Sequence, residues 1–102
     1  MQKIDKNELN NKLYELFAAV DSVEDFRVLL EDLCTYNEVE QMAQRLECAR
    51  QIMDGKTYNQ IIAETDVSSA TLSRVSRCVQ HGSGGYTKVV KQHTVGKDKR
   101  GE

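Results

Sequence analysis

Residues 57–79, TYNQIIAETDVSSATLSRVSRCV, predict two short helices joined by a tight turn. Thr57 and Gln60 have the spacing of a Ser/Thr-x-x-Glu/Gln capping box, in which each side chain accepts a hydrogen bond from the other residue's backbone N–H group. An isoleucine pair supplies the buried side of the first helix. The sequence TDV at residues 65–67 then interrupts the pattern, and either of the next two serines can cap a second helix.

The second helix of this segment has two chemically different sides. Leu72, Val75 and Val79 recur at spacings of three and four, so one side is apolar. The other side combines short hydroxyls and long cations with few acids: Ser69, Thr71, Ser73, Arg74 and Arg77. A helix-turn-helix needs this division, because one side packs on the domain while the other meets phosphates and base edges. An ordinary helical hairpin with a polar outer face has the same periodicity, so the pattern alone leaves both interpretations open.

The motifs around this segment resemble a known family. The run ATLSR at residues 70–74, after a capped helix and a turn, resembles the recognition helix of the tryptophan repressor superfamily. More closely, the chain is similar to small tryptophan-repressor-like proteins of the YerC/YecD type, through TYNEVEQMAQRLECARQIMDGKTYNQIIAET and the later motif QHGSGGY. The resemblance covers residues 9–90. It implies an all-α, TrpR-like domain of about six helices with a helix-turn-helix in its C-terminal half, an intertwined homodimer, and a DNA-binding regulator of transcription.

Length and composition predict one domain outside the membrane. A chain of 102 residues is long enough for one core but not for two independent ones. It contains no run of eighteen apolar residues, and its first residues are too polar for a secretory signal, so we expect a cytoplasmic protein. We expect the helical domain to span residues 1–92, with the helix-turn-helix at about 57–80, and residues 93–102 to form a disordered polar tail.

The distribution of charge along the chain, rather than the net charge, favours a nucleic-acid partner. The formal net charge is −2, but residues 1–55 hold 6 Lys and Arg against 12 Asp and Glu, whereas residues 56–102 hold 8 against 4. Local potential governs contact with phosphates, and the basic half contains the predicted helix-turn-helix. The acidic half keeps a rival interpretation open, in which the protein is a helical dimeric module that binds another protein.

The sequence predicts no catalytic residues, metal site or cofactor. Cys34, Cys48 and Cys78 are widely spaced, with no CxxC pair, which argues against a disulfide framework and a zinc site. Cys48 and Cys78 fall in apolar helical patterns, so we expect both in the core. His81 and His93 have no nucleophile or carboxylate arranged around them. An enzyme is therefore not expected.

The DNA-binding interpretation assigns roles to individual side chains. Base contacts are expected from the start of the recognition helix, at Ser68, Ser69, Ala70 and Thr71. Phosphate contacts are expected from the start of the preceding helix, at Lys56, Thr57 and Asn59. Further phosphate or guanine contacts are expected from Arg74 and Arg77, and Ser73 completes the face. For Ser73 and Arg77 alone, a solvated surface is the simpler interpretation. A two-fold dimer would place two such helices in successive major grooves of a pseudo-palindromic operator, about 34 Å apart.

The resemblance also implies a small-molecule pocket with two departures. The family's tryptophan pocket maps onto Thr35, Arg45 and Arg74. Val75 stands where the tryptophan repressor has a glycine that leaves room for indole, and Cys78 replaces a serine near the ligand amine. A valine side chain would occupy the space of the indole ring, so we predict that tryptophan is not the corepressor.

Other ligand arrangements remain open in the sequence. Either the protein needs no effector, or it binds a different small molecule through Arg45 and Arg74. Arg45 can instead form an intramolecular pair with neighbouring acids such as Glu47.

Overall fold

The computed structural model of the protein describes residues 2–93, which form helices and no strand. The elements in chain order are α1 Lys6–Ala19, α2 Val23–Leu33, α3 Tyr36–Met53, α4 Tyr58–Thr65, α5 Ser69–His81 and a π-helical segment, Gly85–Val90. The expected all-α architecture of about six helices is confirmed. The predicted disordered tail lies outside the described residues except for His93.

Side-chain caps start helices α2 and α3. The Ser22 hydroxyl accepts a hydrogen bond from the N–H of Asp25 at 2.9 Å and caps α2. Thr35 and Glu38 form a capping box before α3, because the N–H of Glu38 donates to the Thr35 hydroxyl at 3.1 Å and the N–H of Thr35 donates to the Glu38 carboxylate at 2.7 Å. Such bonds satisfy donors that the first helical turn leaves unpaired.

The chain divides into two compact units, Met1–Val39 and a second that begins at Glu40, so the boundary falls within α3. In the first unit, Phe17 of α1 and Phe26 of α2 meet edge to face, with ring centroids 5.1 Å apart. None of the residues of α1 or α2 is fully buried. Three leucines of α1, Leu9, Leu13 and Leu16, are between 40% and 51% exposed. The first unit therefore leaves much of its apolar surface uncovered within this chain.

The second unit contains the buried core. Six side chains from α3, α4, α5 and the α4–α5 turn form it: Cys48, Ala49, Ile61, Val67, Leu72 and Val75. Ile52, Ile62, Val79 and Tyr86 pack against this cluster. Burial of apolar side chains favours folding by roughly 25 cal/mol per Å², so these residues fix α4 and α5 on the C-terminal half of α3.

Two side chains at apolar helical positions are not buried. Leu46, one turn before the buried Ala49 on α3, is 49% exposed. Cys78, expected in the core, is exposed. At 100° per residue Cys78 lies at the edge of the apolar face of α5, because Ser76 occupies the inward position beside Val75.

Gly55 ends α3 with a left-handed turn. Its φ is +88°, in the left-handed region that favours glycine. The N–H of Gly55 donates to the carbonyl oxygen of Ile52 at 3.0 Å, and the N–H of Lys56 donates to that of Gln51 at 3.1 Å. This pair of bonds is a Schellman motif, which satisfies carbonyls that the last helical turn leaves unpaired. It turns the chain directly into α4.

Helices α4 and α5 are the two short helices predicted from residues 57–79. The N–H of Gln60 donates to the Thr57 hydroxyl at 3.2 Å and the N–H of Thr57 to the Gln60 side chain at 2.9 Å, which completes the expected box. Asp66 ends α4 with a φ of +61°. The Ser68 hydroxyl then accepts from the N–H of Thr71 at 3.1 Å, so Ser68 is the cap of α5.

Replacing Gly55 with alanine should lower the free energy of unfolding by about 1–2 kcal/mol, since a Cβ is strained at this positive φ although no atom lies within 4 Å of it. Urea denaturation at one fixed protein concentration measures this change. Gly85→Ala is the matched control, because its Cβ also meets nothing within 4 Å and its φ is not positive. Equal stabilities for the two variants would contradict a conformational role for Gly55.

Candidate nucleic-acid interface

The outward side of α5 presents most of the predicted DNA-binding side chains. Ser69, Ala70, Ser73, Arg74 and Arg77 are exposed, and Thr71 is half-buried. The Ser68 hydroxyl donates to the Thr71 hydroxyl at 3.0 Å, so the two side chains are held against each other at the start of the helix. The structure thus brings hydroxyls, a methyl-bearing side chain and two guanidinium groups onto one helix.

The cations of this surface are available for a partner. Arg74 and Arg77 make no ion pair within residues 2–93. Arg27 of α2, in contrast, is held by Glu24 and by Glu31, the second at 2.7 Å, and these hydrogen bonds raise the pKa of its guanidinium. An unpaired guanidinium can bind phosphate or guanine without first breaking an intramolecular bond.

The start of α4 offers backbone donors next to the other predicted phosphate contacts. The capping box engages the N–H groups of Thr57 and Gln60. The N–H groups of Tyr58 and Asn59 make no hydrogen bond within the part of the chain that the structure describes. Both residues are exposed, so a phosphate oxygen can reach these N–H groups at the positive end of the helix dipole.

Lys56, predicted to contact phosphate, forms an ion pair that sequence analysis missed. Its ammonium lies 2.9 Å from the carboxylate of Glu64 in the last turn of α4. Both side chains remain partly exposed, at 37% and 53%. The feature of the sequence that could have indicated this pair is that Glu64 is the one acidic residue among the eight residues of α4.

A network of charged and polar side chains lies at the C-terminal end of α3. The guanidinium of Arg50 donates to Glu47 and, at 3.2 Å, to Asp54, while the Gln51 amide donates to Glu47 at 2.8 Å. The hydrogen bond from Arg50 holds the pKa of the Glu47 carboxyl below its ordinary value, against the opposing effect of burial. Arg45, the alternative partner for Glu47, makes no ion pair with any described residue.

A cleft of about 380 Å³ groups two of the predicted pocket residues. Arg45 and Arg74 both line it, together with Gln41, Gln44 and residues 66–68 and 71. Val75 does not line this cleft; it is 1% exposed in the core. Cys78 lines a different groove with Tyr86. Thr35 belongs to the first unit, where it caps α3.

Residues 2–94 match the family model described as Trp repressor protein. The chain belongs to the Trp repressor protein family. It is 41% identical over 86 residues to the uncharacterised protein YerC of Bacillus subtilis, covering 84% of this chain and 82% of that protein. The resemblance drawn from the sequence is thereby confirmed, and the matching family is one of regulators.

Two solved structures of Trp repressor-like proteins share the fold. A candidate Trp repressor from Staphylococcus aureus superposes with a TM-score of 0.81 at 34% identity, over 84% of this chain and 86% of that one. A TrpR-like protein from Eubacterium eligens gives a TM-score of 0.81 at 31% identity, over 85% and 90%. The all-α, TrpR-like fold class is therefore confirmed.

Residues 2–93 contain no group of three or more His, Cys, Asp or Glu side chains placed to hold a metal ion. No helix among them is both long and apolar enough to cross a membrane.

The Glu47–Arg50 pair should make stability depend on pH. The folded pKa of Glu47 lies below its ordinary value of 4.5, so the ionised carboxylate stabilises the fold above about pH 4.5, and this contribution is lost as pH falls through the folded pKa. Glu47→Gln should therefore lose less stability than the parent protein between about pH 5 and pH 3. The effect should be below about 1 kcal/mol, because the Glu47 side chain is 42% exposed and screened by solvent.

Urea denaturation across that pH range measures the effect. Arg50→Gln is the matched variant, since it removes the other partner and should flatten the pH dependence to a similar degree. If Glu47→Gln kept the full acid-induced loss of the parent protein, the pairing would not be its source.

Proposed function

We propose that this protein is a sequence-specific DNA-binding regulator of transcription, acting in the cytoplasm as a homodimeric repressor. The observation that supports this most directly is the exposed side of α5, where Arg74 and Arg77 have no ion-pair partner among residues 2–93. The opposite side of α5 packs into the buried core and thereby fixes the helix on the domain. Membership of the Trp repressor protein family supports the same function.

In this proposal α5 reads bases in the major groove, which is about 12 Å wide and admits one helix. Ser69, Ala70 and Thr71 stand in its first turn, so they are the residues that meet base edges. Hydroxyls bond to several bases, whereas the methyl groups of Ala70 and Thr71 contact the thymine methyl. Arg74 and Arg77, one and two turns further on, bind guanine or phosphate.

Helix α4 sets the position of α5 on the duplex by binding the DNA backbone. The N–H groups of Tyr58 and Asn59, Lys56 and the hydroxyl of Thr57 surround its N-terminus. A phosphate there gains from the helix dipole as well as from direct hydrogen bonds. These contacts do not depend on sequence and therefore add affinity rather than specificity.

A second copy of the chain supplies the second half of the reading surface. A single short helix contacts few bases, and a two-fold dimer doubles the number of contacts on a palindrome. The first unit has the apolar surface that such a dimer needs, since Leu9 and Leu16 of α1 are about half exposed and Val23 of α2 is 89% exposed. A mainly apolar groove of about 450 Å³, lined by Phe26, Leu30 and Val39 among others, adds to it.

Selection of bound sequences from random duplex DNA, without added ligand, tests the proposal. It should enrich a pseudo-palindrome with half-sites about 10 base pairs apart, because two-fold recognition helices enter successive major grooves. Arg74→Ala should bind the enriched duplex roughly ten- to a hundred-fold more weakly and reduce the salt dependence of binding. Fluorescence anisotropy at several KCl concentrations measures both quantities.

The control for this experiment is Lys88→Ala, which removes one positive charge at an exposed position of the π-helical segment, outside α4 and α5. It should change affinity much less than Arg74→Ala. No enrichment in the selection, together with weak salt dependence, would contradict DNA binding and favour the rival function, a helical dimer that binds another protein.

A regulator gated by a small ligand is the second candidate, favoured by the cleft between α3 and α5. Arg45 and Arg74 line it and form no ion pair within residues 2–93. The amides of Gln41 and Gln44 add hydrogen-bonding groups, and Asp66 lines the cleft as well. A carboxylated compound would pair with the two guanidinium groups. Val75, at the position that the family's pocket places next to the indole, and Cys78, at the position near the ligand amine, do not line this cleft.

L-Tryptophan should leave the melting temperature of the protein unchanged, because Val75 stands where the tryptophan repressor has the glycine that leaves room for indole. A ligand present at about 100 times its dissociation constant stabilises a protein by about 2.7 kcal/mol, which corresponds to a rise of about 10 °C or more for a domain of this size. Thermal denaturation with and without L-tryptophan measures this difference. A saturable rise that disappears in Arg45→Ala would show that the Arg45 cleft accepts tryptophan after all.

A further inference from the structure

The ion pair between Lys56 and Glu64 joins the two ends of α4. Lys56 precedes the helix, whereas Glu64 lies in its last turn, about 10 Å further along the axis at 1.5 Å per residue. The ammonium and the carboxylate nevertheless meet at 2.9 Å. Gln60 and Ala63 of α4 line the shallow cleft that these two side chains share.

This pairing engages the ammonium with an acid of the protein instead of a DNA phosphate. In the proposed complex, a phosphate binds at the free N–H groups of Tyr58 and Asn59, in the first turn of α4. The ammonium of Lys56 lies 2.9 Å from the carboxylate of Glu64, in the last turn of the same helix. The ammonium must exchange one anionic partner for another before it can contact the backbone.

We propose that Glu64 is an intramolecular competitor of the DNA backbone, whose carboxylate occupies Lys56 in the free protein and releases it to a phosphate on binding. This inference rests on the proposed DNA-binding function and adds a residue that limits the affinity. Glu64 acts twice, since it holds the cation before binding and remains as a negative charge beside the DNA afterwards.

The surroundings of Lys56 agree with this role. Lys56 also helps to lower the pKa of the Glu47 carboxyl, so its charge is felt by a second acid. Glu47 and Asp54 hold Arg50 directly, and the charge of Glu64 contributes to the raised pKa of its guanidinium. Arg50 and Lys56 therefore both have acidic partners within the protein, whereas Arg74 and Arg77 on α5 form no ion pair among residues 2–93.

The consequence is a weaker sequence-independent contribution to binding. Phosphate contacts provide nearly all of the affinity for non-specific DNA, and counter-ion release makes that affinity depend on salt. A competitor carboxylate reduces both quantities. The base contacts of α5 are unaffected, so a larger share of the total affinity comes from the sequence.

A double-mutant cycle at Lys56 and Glu64 tests the inference. Binding of the parent protein, Glu64→Gln, Lys56→Gln and the double variant to a mixed-sequence duplex of about 40 base pairs is measured by fluorescence anisotropy at several KCl concentrations. Glu64→Gln should bind about three- to ten-fold more tightly, with a steeper salt dependence by up to about one unit of log K per log [KCl]. When Lys56 is already replaced by glutamine, the increase in affinity caused by Glu64→Gln should be smaller. It should then equal the increase expected from removing one negative charge that has no ion-pair partner.

Glu40→Gln gives the size of the general charge change. It removes the same charge at an exposed position of α3 that makes no ion pair within residues 2–93. The glutamines keep the shape of the side chains they replace, and urea denaturation checks that every variant is folded.

The possible results separate this inference from the proposed function. Equal gains from Glu64→Gln in both backgrounds, or a gain no larger than that of Glu40→Gln, would overturn the competitor role and leave DNA binding intact. Absence of salt-dependent binding by all the variants would overturn both.

Discussion

The packing of α4 and α5 on the second half of α3 is the interaction on which the rest of the structure depends. Cys48 and Ala49 from α3, Ile61 from α4, and Leu72 and Val75 from α5 meet in one small buried cluster. Loss of one large apolar side chain from such a cluster costs about 2–5 kcal/mol. Burial of the inward face of α5 in this cluster fixes the orientation of its outward face.

Short backbone motifs complete what this small core begins. Between Met53 and Ser69 the chain ends α3 with a Schellman motif, starts α4 with a capping box, ends α4 at a left-handed Asp66 and caps α5 with Ser68. Each motif satisfies backbone groups that a helix end leaves unpaired, and each also sets the direction of the chain. The two short helices therefore have a defined relation to each other with few buried side chains.

Charged side chains are distributed unevenly over α3, α4 and α5. Arg50 at the end of α3 and Lys56 before α4 have acidic partners: Arg50 is bound by Glu47 and Asp54, and Lys56 by Glu64. On α5, Arg74 and Arg77 have none among the described residues. The difference gives the two helices different roles in the proposed complex, with α5 supplying the unpaired cations and α4 supplying backbone N–H groups.

The local structure was determined by the sequence because it depends on residues three or four apart. The capping boxes at Thr35 and Thr57 and the glycine at position 55 could each be predicted, since the bonds that they make are local. The family could be recognised for a related reason, as its motifs lie in those same short segments. Which side chains are buried or paired depends on the angle between helices, which no local pattern contains. The tertiary structure alone therefore decided that Cys78 is exposed, that Arg45 shares a cleft with Arg74 while Val75 is in the core, and that Lys56 pairs with Glu64.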